Sequence, residues 1–131
     1  MAGWGTVAVV ARPFTLDEAR ALLPEIIAIA EEIIPLRAEL VAGAKGRHDG
    51  GPRANLADVK GMEAQLSHLL DELRQLGLEV KGWAPLLVDV PVTVGGREVL
   101  VCWLEGDRSL DWYHDRDHGF AGRRRLGELA G

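Results

Sequence analysis

Leu86-Leu-Val-Asp-Val-Pro-Val-Thr-Val-Gly-Gly-Arg-Glu-Val-Leu-Val-Cys-Trp103 is the stretch whose reading decides the fold. Leu86, Val88, Val90, Val92 and Val94 place an apolar side chain at every second position, the period of a half-buried strand. Gly95-Gly96 is a two-residue hairpin signal, because the favoured tight turns need positive φ. Folding about that turn sets Val92 opposite Val99, Val90 opposite Val101 and Val88 opposite Trp103, which makes one apolar face. The other face pairs Thr93 with Glu98, Pro91 with Leu100 and Asp89 with Cys102. A slip of one residue would destroy this sorting, so the register is well specified. Pro91 lacks an amide donor and points to an edge or a bulge in its strand.

Downstream, Glu105-Gly-Asp-Arg108 turns the chain again. The expected third strand carries Leu110 and Trp112 toward the core and Asp111 and Tyr113 away from it. A loop one residue longer or shorter would exchange those faces.

Upstream, the period is helical. Phe14-Thr-Leu-Asp-Glu18 is a helix start: Thr15 and Glu18 form a capping box, Phe14 occupies a hydrophobic-staple position, and Asp17 and Glu18 complement the helix dipole. Leu16, Ala19, Leu23, Ile26, Ala30, Ile33 and Leu40 follow at helical spacing. Pro24 and Pro35 predict a kinked or segmented helix to about Ala42. A glycine-rich flexible loop is expected over 43–55. A second helix then runs from about Leu56 to Leu76 and stops at Gly77. Two amphipathic helices joined this way form an antiparallel hairpin. Arg37 and Glu63 lie near the two stripes, where they could pair or snorkel.

The expectation is one α+β domain over 1–131: an antiparallel helical hairpin over about 15–77, packed on a small antiparallel β-meander of about three strands. The meander and a C-terminal loop occupy about 78–125. The 131 residues suffice for one core. Thr6 to Ala11 reads as a short strand or an arm.

Composition excludes several functions. A net charge of −5 argues against a nucleic-acid partner, although Arg123, Arg124 and Arg125 form a local basic patch. One cysteine cannot close an internal disulfide or build a multi-thiolate zinc cage, which fits a reducing cytoplasm. The apolar run near the N-terminus is too short for a signal peptide, and no run is long enough for a membrane span.

Several motifs together resemble a bacterial and archaeal family, domain-of-unknown-function family 2203. They are Phe14-Thr-Leu-Asp-Glu-Ala-Arg-Ala-Leu-Leu-Pro24, Leu87-Val-Asp-Val-Pro91, Gly96-Arg-Glu-Val-Leu-Val-Cys-Trp103, and Trp112-Tyr-His114 through Gly119-Phe-Ala-Gly-Arg123. The resemblance implies no activity. It marks Trp112, His114, Gly119, Phe120, Gly122 and Arg123 as the terminal motif and hence the candidate ligand-binding residues. Tyr113 stands where the family more often joins Trp and His directly.

Three chemistries compete for this segment. His114 and His118, with Asp111 nearby, could ligate a divalent transition metal, with a third donor from Asp89, Glu25 or Glu63. Gly119 to Arg125 could hold a small anionic ligand through backbone amides and guanidinium groups. Cys102, in mid-strand opposite Asp89, reads as structural, since a reactive thiol needs an electropositive setting. The functional expectation is a small binding or assembly protein forming a homo-oligomer. The alternative is a metal-dependent enzyme with His114 as ligand or base and Arg123 holding an anionic substrate.

Overall fold

The computed structural model describes residues 13–48 and 56–129. The Thr6 to Ala11 reading and most of the 43–55 loop lie outside those residues. Helix α1 spans Leu16–His48 and α2 spans Leu56–Gln75. Five strands follow: β1 (Glu79–Trp83), β2 (Leu86–Val94), β3 (Arg97–Leu104), β4 (Trp112–His114) and β5 (Arg124–Arg125). They form one antiparallel sheet in chain order, with both helices packed on one face. Among the described residues the meander therefore has five strands rather than three. The added ones are a Lys-Gly-Trp strand with a bulge between Val80 and Gly82, and a two-residue strand, neither of which shows clean alternation.

The start of α1 is the capping box. Glu18 N–H donates to Thr15 Oγ1 at 3.1 Å, and Thr15 N–H donates to Glu18 Oε1 at 2.9 Å. Helix α1 continues through Pro24 and Pro35 to His48, six residues beyond the expected end. Its buried side, Ala19, Ile26, Ile29, Ala30 and Ile33, sits on the sheet and outweighs two lost amide donors. Helix α2 buries Val59, Leu66, Leu69 and Leu73. It ends in a Schellman motif: Gly77 N–H donates to Arg74 O at 2.9 Å, and Leu78 N–H to Leu73 O at 3.3 Å. Gly77 has φ 96, and a Cβ there would lie 3.1 Å from the Phe14 ring.

The β2–β3 register is the one read from sequence, pair for pair, about the positive-φ turn Gly95-Gly96. Val88, Val90, Val92, Val99, Val101 and Trp103 form the sheet side of the core. Each such burial contributes on the order of 1.5–3 kcal/mol relative to exposure. Pro91 is tolerated because β1 stops its pairing at Asp89. Beyond that point, among the described residues, Phe14 takes over on the edge that β1 leaves, donating to Pro91 O and accepting from Thr93 N, each at 2.8 Å.

Arg37 does not meet Glu63. Its guanidinium forms a two-pronged bond to Glu105, 2.8 Å at each prong, and donates to Trp83 O at 2.7 Å. Glu105 also accepts the Leu86 amide. This cluster ties α1 to the β1–β2 turn and the end of β3, and the guanidinium holds the Glu105 carboxyl at about 2. Among the described residues, no helix is long and apolar enough to cross a membrane.

Candidate functional site

The site is set by the pairing of β3 with β4. Leu100 pairs with His114, Val101 with Tyr113 and Cys102 with Trp112. Tyr113 therefore faces the core, while Trp112 and His114 face away from the helices, the reverse of the expected assignment. Leu110 enters the core as expected. The face changes between Leu110 and Tyr113, both of which lie in the core, and a single step exchanges every face that follows.

That exchange brings His114 beside Asp89 and Cys102, which pair with each other on β2 and β3. All three are buried, at 3 %, 2 % and 2 % exposure. Their ligand atoms lie within 4.8 Å of one another. His114 Nε2 is 3.1 Å from Asp89 Oδ2, and His114 Nδ1 is 2.8 Å from Asp115 O. A carbonyl only accepts, so Nδ1 carries a proton and donates to it. Nε2 then meets Asp89 Oδ2 in one of two ways, by donating a second proton to the carboxylate or by turning a lone pair toward a cation that both atoms ligate. The second carboxylate oxygen, Asp89 Oδ1, is buried and lacks a hydrogen bond of good geometry among the described residues, with the Cys102 thiol close enough to interact with the carboxylate.

The surroundings are charged. Lys81 Nζ lies 3.6 Å from Asp89 Oδ2 and 3.3 Å from Glu79. Arg116, from the loop after β4, reaches across β2 to Glu79 on β1 at 2.9 Å and to Glu98 on β3 at 3.2 Å. Burial and the Asp89 charge push the Cys102 thiol well above its ordinary range, partly offset by the Arg123 charge. Without a cation, Cys102 is thus a protonated thiol and a poor nucleophile.

The terminal motif flanks this cluster. A short 3₁₀ turn, Phe120–Gly122, follows Gly119 at φ 66 and leads to Arg123. The Arg123 guanidinium lies 4.2 Å from the Phe120 ring centroid and 4.9 Å from that of Trp112. Gly122 packs against His118, where a Cβ would come within 2.9 Å of the His118 Cβ. With Cys102, Leu104 and Asp107, the three side chains Trp112, Phe120 and Arg123 line a cavity of about 70 Å³.

Of the three metal candidates His114, His118 and Asp111, only His114 joins the donor cluster. His118 is exposed and pairs with Asp115 at 3.5 Å, and exposed Asp111 accepts from Ser109 at 2.6 Å. The donor missed in the sequence is Cys102. Its pairing with Asp89 was legible, but the β3–β4 register that adds His114 was not.

The model of a family described as an uncharacterized conserved protein, DUF2203, matches residues 12–126, and the chain belongs to that family. No curated protein and no solved structure matches the chain.

Proposed function

We propose that this member of the DUF2203 family binds a divalent transition metal through Asp89, Cys102 and His114. The observation that supports this reading is the juxtaposition of three buried donor groups, the His114 imidazole, the Asp89 carboxylate and the Cys102 thiol, with Asp89 Oδ1 lacking a hydrogen bond of good geometry among the described residues. A proton on Nε2 would satisfy Oδ2 alone. A metal would engage the imidazole, the carboxylate and a Cys102 thiolate together.

Sulfur, nitrogen and oxygen donors in one set suit zinc, the borderline-soft ion. Bond lengths of ~2.3 Å to sulfur and ~2.0–2.1 Å to nitrogen and oxygen put tetrahedral donors about 3.3–3.6 Å apart. The His114–Asp89 separation is already close to this range. The hydrogen bond from His114 Nδ1 to Asp115 O is the outer-shell contact that fixes a ligating imidazole. Three protein donors leave a fourth position for an exogenous ligand, which is the basis of the enzyme alternative.

Elemental analysis of untagged protein, beside His114→Ala and Cys102→Ala variants, tests the reading. A stoichiometric transition metal is expected in the parent and lost in both variants, with Cys102→Ala retaining its fold. Absence of metal from the parent after growth in zinc-supplemented medium contradicts it.

A second reading, self-association, is favoured by Trp83, 46 % exposed at a groove of about 320 Å³ between the helices that Leu40, Val59 and Leu70 also line. A concentration-independent monomer in sedimentation would dismiss it.

A further inference from the structure

The cavity beside the donor cluster has a chemistry of its own. Cys102 belongs to both, so a molecule in the cavity lies against the thiol that would ligate the metal. Trp112, Phe120 and Leu104 supply apolar walls, and Arg123 supplies a cation. Arg123 is exposed and, like Arg124 and Arg125 beside it, has no carboxylate within ion-pair distance among the described residues. Two aromatic rings hold its guanidinium instead, leaving the edge N–H groups for a ligand. Arg123 also lies near enough to Cys102 for its charge to offset part of the upward push on the thiol.

We propose that this cavity binds a small monocarboxylate, paired with Arg123 and placed as the exogenous ligand beside the metal held by Asp89, Cys102 and His114. The inference rests on the metal reading. A guanidinium matches a carboxylate through two parallel N–H bonds. The volume of about 70 Å³ exceeds the ~10–15 Å³ that one water needs, yet is too small for a nucleotide or other large cofactor. Asp107 also lines the cavity, but its Oδ2 accepts the Leu104 amide at 3.0 Å. Its negative charge and the aromatic walls penalise a dianion such as phosphate more than a monoanion.

Cobalt(II) substitution tests both layers separately. Thiolate-to-cobalt charge transfer reports the metal site, and ligand-field bands report the exogenous position. Cobalt-loaded protein is titrated with propionate, acetate and inorganic phosphate, in the parent and in Arg123→Ala and Arg123→Lys. Propionate and acetate should shift the ligand-field bands saturably. Arg123→Ala should weaken that response about tenfold or more and leave the charge-transfer band intact, since a two-pronged charged contact is lost. Arg123→Lys, which keeps the charge without the fork, should fall between. A saturable carboxylate response of equal affinity in Arg123→Ala, no response at all, or tighter binding of phosphate would each overturn the proposal while the charge-transfer band still upholds the metal site. Absence of that band in the parent would overturn the metal reading, and this proposal with it.

Discussion

Replacing Glu105 with glutamine tests the link between helix and sheet. Glu105 accepts two bonds from Arg37 and one from the Leu86 amide, and its carboxyl is held at about 2, below its ordinary 4.5. At about 1.36 kcal/mol per pH unit, that difference has an upper bound of about 3 kcal/mol. The two side chains keep 16 % and 20 % of their surface in water. Solvent screening brings the expected loss in Glu105→Gln at pH 7 to about 1–2 kcal/mol. Glutamine can still accept the Leu86 amide, but it turns an NH₂ group toward the guanidinium. Because the folded-state pKa is depressed, the contribution is full above 4.5 and is lost as pH falls toward 2. Urea denaturation of both proteins at pH 7, 5, 4 and 3 reads the gap directly. The stability difference should narrow steadily below pH 5. A gap that stays constant to pH 3, or no gap at pH 7, would show that the Arg37–Glu105 pair does not stabilise the fold.

Gly77→Ala should lose about 1–3 kcal/mol, because φ 96 strains any Cβ and the new methyl meets the Phe14 ring; unchanged chemical denaturation would contradict the Schellman account. Ile33→Ala, at a fully buried position between α1 and the sheet, should cost about 2–5 kcal/mol in the same assay. Cys102 in the metal-free native protein should resist a thiol reagent at pH 8 and react fully in urea, since it is buried and its thiol is pushed upward; reaction at the unfolded rate would show that the outer face of the sheet is open.

Local rules made most of the fold legible. The Val88-Val90-Val92 alternation and the Gly95-Gly96 turn give the β2–β3 register because each pair must agree about which face is apolar. Thr15 and Glu18 cap α1 because both partners lie three residues apart on one turn. Tertiary terms overrode local signals elsewhere. Gly43 and Gly46 marked a loop, and Pro24 and Pro35 marked breaks, yet α1 passes through all four positions. β1 was hidden because Lys81, Gly82 and an exposed Trp83 follow no period, and only pairing with β2 makes them a strand. The candidate site was half legible. His114 and Arg123 stood out by residue type, and the Asp89–Cys102 pair by register. What joined them was the change of face between Leu110 and Tyr113, which no alternation in the sequence marks.

If Asp89, Cys102 and His114 ligate one metal ion, as proposed, the ion sits in a mixed sulfur, nitrogen and oxygen shell. Zinc K-edge X-ray absorption of the zinc-loaded protein tests it most directly. One sulfur scatterer is expected at about 2.3 Å, with nitrogen and oxygen scatterers at about 2.0–2.1 Å. Cys102→Ala should lose the sulfur shell. A spectrum of nitrogen and oxygen alone, identical in parent and variant, would place the metal elsewhere and contradict it.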